Sequence, residues 1–236
     1  MQAVRSLHPP GMIAVISGDL SRYPGFYVSL LNLKVPSGSS WNWVRGNGIA
    51  FNRNMVGENA AGDWIWFIDD DHAFEPDILL KMLDRKLSIL QPLVSTRKPP
   101  FHPYAYMKKE IGYRGLDWSD LPSSGVFPCD AVGTGGMLVR RQVFEAMEKP
   151  WFEEGKTGPD AIGEDLHFCT KAKDLGFFCH VDLDNRMGHI NPAEIWPAQT
   201  DEGDWCIDID VGGQGVRARV AQDFGKKLEF DPLVQV

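Results

Sequence analysis

Three adjacent carboxylates close one apolar run of the chain, Phe67-Ile68-Asp69-Asp70-Asp71-His72. Like charges at the end of a hydrophobic strand repel one another and cost stability unless a cation or hydrogen-bond donors offset them. A hard divalent ion such as Mg²⁺ or Mn²⁺ takes oxygen ligands and commonly bridges substrate phosphates. Strand geometry sends Asp69 and Asp71 to one side and Asp70 to the other, so Asp69 and Asp71 are the pair offered to one ligand. The plain alternative is a solvated acidic turn before a helix, with Asp71 or Glu75 favouring its N-terminus. Two further acids, Glu164 and Asp165, follow Gly163 and open a helix. The macrodipole alone accounts for them, or one is a base aimed at a hydroxyl group. Gly188-His189-Ile190-Asn191 follows an apolar strand. Its imidazole is either a hydrogen-bonded structural group or a ligand that suits Mn²⁺ beside carboxylates and phosphates. Gly133-Thr134-Gly135-Gly136 is a turn that lets backbone approach a ligand closely. Dinucleotide and P-loop glycine patterns are absent, as are the metalloprotease and nucleophile-elbow motifs and any zinc-type cysteine cluster.

A scaffold for these residues is legible in the hydrophobic pattern. Met12–Ser17 reads as a buried first strand running into Gly18-Asp19, Phe26–Lys34 as a helix, and Trp41–Arg45 as a strand. Gly48–Ala61 reads as a helix, Asp63–Asp69 as an apolar strand, Asp77–Lys86 as a helix opened by Pro76, and Ile89–Thr96 as a strand. Residues 98–128 hold five prolines among Phe101, Tyr104, Tyr106, Tyr113 and Trp118, and read as a long functional loop. Strand Met137–Arg140, helix Arg141–Met147, helix Gly163–Leu175 and a final strand Phe177–Val181 resume the rhythm. Leu166, Cys169, Ala172 and Leu175 form the inward stripe of the second of those helices. From Pro192 the chain reads as a turn-rich tail. This alternation predicts an α/β sandwich on a mostly parallel central sheet. Ligands on such sheets lie beyond the carboxyl ends of the strands, where Ser17-Gly18-Asp19 and Asp69-Asp70-Asp71 fall.

The chain has 236 residues, enough for one domain with a functional tail. It is 43% hydrophobic and 24% charged, which excludes wholesale disorder. No apolar run reaches the roughly 18 residues of a membrane helix, and no apolar segment follows Arg5 as a secretory leader would require. A soluble, cytoplasmic protein without stable membrane insertion is expected. Cys129, Cys169, Cys179 and Cys206 are widely spaced and read as reduced, mostly buried thiols. Lys+Arg 24 against Asp+Glu 32 leaves a net charge of −8, which argues against a generic nucleic-acid binder. Arg97-Lys98, Lys108-Lys109, Arg140-Arg141, Arg217, Arg219 and Lys226-Lys227 read as solvated surface; clustered around a cleft, they would form a rim for a polyanionic acceptor.

In order, Ile68-Asp69-Asp70-Asp71-His72, the run Cys129–Arg141, Pro150-Trp151-Phe152, the run Gly163–Cys169 and Gly188-His189 resemble the GT-A glycosyltransferases. The closest match is the small inverting, family-2-like group. The resemblance runs from about Met12 to about Asn191. It implies a Rossmann-like, single-domain α/β/α catalytic sandwich over residues 1–191 and a tail, 192–236, packed on or covering the active site. The implied activity is metal-dependent transfer of a sugar from a nucleoside diphosphate sugar, a UDP-sugar foremost, to a hydroxyl acceptor with inversion. Asp69-x-Asp71 matches the D-x-D motif, with Asp71 on the metal and Asp69 nearer the ribose or metal. Asp70 adjoins the nucleotide sugar, and His189 completes the shell of Mn²⁺ or Mg²⁺. Asp165 is the implied general base, with Glu164 beside it capping the first helical turn. Arg53-Asn54 would flank the nucleotide, Ser17 and Asp19 the nucleobase and ribose, and Gly135 and Gly136 the donor-sugar cleft. Trp151 would wall the acceptor side, where Tyr104 and Tyr106 offer a stacking platform. On the acceptor itself (a glycan, a small molecule or a hydroxymethylated DNA base) the resemblance is silent. A nucleotidyltransferase is the rival in the same fold, disfavoured because Ser17-Gly18-Asp19 is acidic where that chemistry prefers a basic glycine-rich loop. A catalytically inactive sugar-nucleotide-binding module is disfavoured by the intact acids and histidine.

Overall fold

The computed structural model describes residues 1–17, 23–97, 101–154, 162–199, 201, 205–210 and 215–219. Among the sequence expectations, Gly18, Asp19, residues 98–100 of the expected loop and much of the expected tail, including 220–236 with Lys226-Lys227, lie outside them. The chain divides into two compact units, one of Met1–Ser95 with His102–Ile190, the other of Thr96–Phe101 with Asn191–Val236.

In the first unit the early strands are β1 (Gln2–Val4), β2 (Met12–Ser17), β3 (Lys34–Pro36), β4 (Ser40–Arg45), β5 (Trp64–Asp69), β6 (His72–Phe74) and β7 (Ile89–Leu93). There follow β8 (Ala105–Lys108), β9 (Tyr113–Gly115), β10 (Val126–Cys129), β11 (Ala131–Val132), β12 (Leu138–Arg140) and β13 (Cys179–His189). The helices are α1 (Pro24–Asn32), α2 (Ile49–Asn59), α3 (Ile78–Asp84), α4 (Arg141–Ala146) and α5 (Glu164–Asp174). The main sheet runs β10-β13-β7-β12-β5-β2-β4, with β6 added on β13. Strands β13, β7, β5, β2 and β4 point one way, while β10 and β12 are antiparallel to their neighbours.

Strand alternation splits the core into two layers. Ala14, Ile16, Ile65 and Phe67 face α2, α4 and α5 through Val56, Phe144, Phe168 and Ala172. Ile13, Val15, Trp64, Trp66 and Ile68 face α1 and α3 through Phe26, Leu30, Leu79 and Leu83. The result is an α/β/α sandwich with a mixed, mostly parallel sheet. Each large apolar side chain buried here contributes about 1.5–3 kcal/mol, and β5 buries five in a row. That strength holds its last residue, Asp69, in place.

The structure corrects several expectations. Residues 98–128 are not one irregular loop: β8 pairs with β9 and β11, and β10 joins the main sheet. Strands of two to four residues between prolines leave too little periodicity to read. Leu175, expected inward, is exposed because it lies beyond the end of α5, and Phe168 is buried instead. The strand expected over 177–181 continues to His189 and is not the last. In the second unit β14 (Glu194–Gln199), β15 (Trp205–Asp210) and β16 (Gly215–Arg219) form an antiparallel sheet where a turn-rich tail was expected. Cys129, Cys169 and Cys179 are free and buried. No helix among the described residues is long and apolar enough to cross a membrane.

Candidate active site

The chain leaves β5 at Asp69 and turns through Asp70 and Asp71 before β6 starts at His72. This turn breaks the alternation that would have put Asp69 and Asp71 on one side. β6 then pairs with the end of β13 so that His72 lies opposite His189. Their rings stack 4.6 Å apart at 24°. Asp71 Oδ1 is 3.2 Å from His72 Nδ1, and Asp71 Oδ2 is 3.4 Å from His189 Nε2. One ligand atom from each of Asp71, His72 and His189 lies within 4.8 Å of the others. His72 was the residue that sequence reasoning missed, although its place directly after the acids and the late His189 were both in view. Asp69, expected in the metal set, stands outside this triad and faces Arg53, with Arg53 Nη2 3.6 Å from its Oδ1.

The donor set fits a divalent cation. Burial pushes the His72 pKa below the ordinary imidazole value, against the pull of Asp69, a shift towards the neutral form that binds a metal. His189 Nδ1 lies 3.0 Å from the Ser95 carbonyl. With the proton on Nδ1, the Nε2 lone pair faces the Asp71 carboxylate, a repulsive arrangement that a shared cation resolves. Asp69 Oδ1, although 3.6 Å from Arg53 Nη2, and Asp70 Oδ2 are buried without hydrogen-bond partners among the described residues. Two imidazoles with carboxylate oxygen suit Mn²⁺ better than Mg²⁺.

Arg53 is 2% exposed and bridges this cluster to α5 by pairing with Glu164. Contrary to expectation, Glu164 therefore does not cap its own helix; the N-cap is Gly163, with no side-chain cap. Asp165, next to it, accepts the Leu166 N–H at 2.8 Å through Oδ1. Burial, and then the charge of Glu164, push its pKa above the ordinary carboxylate value. Burial, and then the charge of Asp165, push the Tyr106 phenol up as well. Tyr104 packs edge-on against Tyr106 at 6.5 Å and lies 6.1 Å from the His189 ring.

The glycine turn is pressed against the triad. A β-carbon on Gly135 would come within 2.7 Å of His72 Cε1 and 3.0 Å of Asp69 Oδ2. Gly136, with φ +94°, donates to the Phe67 carbonyl and accepts from Trp66 Nε1, which fastens the turn to β5. Ser17 ends β2 beside Asp69 and accepts from Trp43 Nε1.

Two site expectations fail on packing. Asn54 cannot flank a nucleotide with its amide. Its Oδ1 accepts from the Trp151 and Phe152 N–H groups, and its Nδ2 donates to the Ala50 and Phe152 carbonyls, which uses its whole capacity. Trp151 is not an acceptor-side wall but a core residue. It packs edge-on against Phe144, its Nε1 donates to the Phe144 and Met147 carbonyls, and its ring lies on Gly57. Arg140 and Arg141 cannot rim the cleft either, because Arg140 pairs with Trp64 at the start of β5, the opposite end from Asp69.

A family model described as Glycosyltransferase like family 2 matches residues 21–205. No curated protein matches significantly. Solved structures similar to this chain include A197 from STIV, at 13% identity and TM-score 0.48 over 80% of this chain and 99% of that one. GalNAc-T7 with UDP, GalNAc and Mn²⁺ is similar at 12% identity and TM-score 0.48, over 77% of this chain and 43% of that one. The inositol-1-phosphate CTP transferase from T. maritima is similar at 16% identity and TM-score 0.40, over 76% and 69%.

Proposed function

The chain belongs to the Glycosyltransferase like family 2, and we propose that it moves a sugar from a nucleoside diphosphate sugar to a hydroxyl acceptor, with inversion and with a divalent cation. The observation that carries this reading is the convergence of Asp71, His72 and His189, with Asp165 held nearby by the Arg53–Glu164 pair. Asp71, His72 and His189 would hold Mn²⁺ or Mg²⁺, which when bound neutralises the diphosphate and the charge developing on the leaving group.

The chain's own residues do the rest. Asp165, ionised, accepts the proton of the acceptor hydroxyl as that oxygen attacks the anomeric carbon from the face opposite the leaving group. Arg53 holds Glu164 in an ion pair, which leaves Asp165 as the carboxylate of this helix start with a basic oxygen to offer. Ser17, Asp19, Asp69 and Asp70 border the nucleotide and sugar. Gly135, whose missing β-carbon lets the turn press against His72 and Asp69, and Gly136, which fastens that turn to β5, line the donor-sugar cleft. Tyr104 and Tyr106 stack on the acceptor. UDP-sugars are the first donors to try.

The test is a panel of UDP-, GDP- and dTDP-sugars with and without Mn²⁺, followed by phosphorus NMR. Mn²⁺-dependent release of a nucleoside diphosphate is the expected result. Release of pyrophosphate from a nucleoside triphosphate and a sugar phosphate would replace this reading with nucleotidyl transfer. Binding of donor without turnover, across glycan, small-molecule and hydroxymethylated-DNA acceptors, would reduce the protein to a binding module.

A further inference from the structure

β13 changes faces partway along its length. From Cys179 to Asp182 it pairs in parallel with β7, Cys179 opposite Ile89 and Asp182 opposite Pro92. The next β7 residue, Leu93, is opposite Arg186, so Leu183, Asp184 and Asn185 bulge out of the ladder. An odd insertion exchanges the two faces of a strand. The packing records the exchange. Cys179 and Val181 lie in the layer under α5. Met187, of the same parity in sequence, lies in the opposite layer with Leu90 and Leu138. His189 follows two residues later and shares the face of Met187. Without the bulge its imidazole would turn away from Asp71 and His72.

An ionic cluster, buried at Asp182 and Asn185 and open to solvent at Arg85 and Asp184, holds the bulge. Asp182 is fully buried and accepts Arg85 Nε at 2.9 Å and Arg85 Nη2 at 3.0 Å. It also accepts Asn185 Nδ2 at 2.7 Å and the Asp184 N–H at 3.2 Å. Arg85, the C-cap of α3, reaches Asp184 Oδ2 at 2.6 Å as well, and Asp184 Oδ1 accepts the Gly125 N–H at 2.9 Å. Burying the Asp182 carboxylate costs several kcal/mol of desolvation, and an apolar residue often serves stability as well; fixing register is the best-attested use of such groups.

We infer that Arg85, Asp182 and Asn185 are positioning residues, a latch that sets the facing of His189 and through it the divalent-ion affinity of the Asp71–His72–His189 triad. The inference rests on the metal reading above and is tested on the full chain without substrate.

Mn²⁺ is titrated into the metal-free protein and the free ion is followed by electron paramagnetic resonance. Asp182→Asn, and the paired change Arg85→Met with Asp182→Leu that leaves no lone buried charge, should weaken Mn²⁺ binding roughly 10–100-fold while melting stays cooperative. Arg85→Lys, which keeps the charge but not the fork, should recover part of it. Asn185→Ser removes one neutral hydrogen bond and should show a smaller loss in the same direction, which keeps the test open if the charge variants do not fold. In parallel, NMR of the metal-free protein should show the His72 and His189 rings stacked in the wild type and separated in the variants. Wild-type Mn²⁺ affinity and stacked rings in a folded latch variant would overturn the inference. A wild type whose rings stack but which binds no Mn²⁺, alongside variants whose rings have separated, would support the latch and overturn the metal reading.

Discussion

Gly135 has no room for a β-carbon, because the space beside it belongs to His72 and Asp69. Gly135→Ala should therefore cost at least tenfold in Mn²⁺ affinity, on the order of a disturbed ligand shell, while the melting temperature changes little; unchanged Mn²⁺ binding by calorimetry would count against the crowding. Asp165 offers a second test at this scale. Its folded-state pKa is raised by burial and by Glu164, so the folded protein binds this proton more tightly than the unfolded chain does. Stability is unaffected below the ordinary Asp range, falls as pH rises towards the folded pKa, and stays reduced above it. Asp165→Asn should then melt a few degrees higher than wild type at neutral pH, with the difference closing in acid. A variant that melts lower at neutral pH would contradict the assigned environment. As a base, Asp165 should also give a turnover that rises with pH through a value above the ordinary carboxylate one.

At the scale of elements, Asn54 ties α2 to the backbone of Trp151 and Phe152. Asn54→Ala leaves those groups without partners and should cost about 1–3 kcal/mol by denaturant melts, with donor affinity unaltered; a donor-binding loss without a stability loss would restore its nucleotide role. The α/β/α layering was legible because long apolar runs such as Trp64–Ile68 leave no choice but burial on both faces. Both acid clusters and the late histidine were legible as well, since charge at the end of an apolar strand is conspicuous. What the sequence hid is how the chain passes between elements. The turn at Asp70-Asp71 overturns the alternation expected from Asp69 to Asp71, and the bulge at 183–185 carries on, to His189, a strand expected to end at Val181. Both are held by long-range contacts, Ile190 N–H on the Asp71 carbonyl and Arg85 on Asp182, that no local pattern announces.

For the molecule as a whole, the sheet orders these parts along one edge. Ser17, Asp69 and the Gly133–Gly136 turn meet at the carboxyl ends of β2 and β5, and β13 delivers His189 to the same edge through β6. Arg53 spans from this edge to the start of α5, so the proposed donor side and the proposed base are one connected structure. That connection separates the two acids of α5 by role. Glu164→Gln leaves the buried Arg53 guanidinium with Asp69 alone as a charged partner and should cost about 1–3 kcal/mol of stability, with a smaller effect on turnover. Asp165→Asn removes the base and keeps the shape. The most direct test is turnover of the donor identified by the panel, with Mn²⁺, in wild type and both variants. Asp165→Asn should lower kcat by about 10²–10⁴-fold with donor affinity near wild type, and Glu164→Gln by much less. Wild-type turnover in Asp165→Asn would contradict general-base sugar transfer at this site.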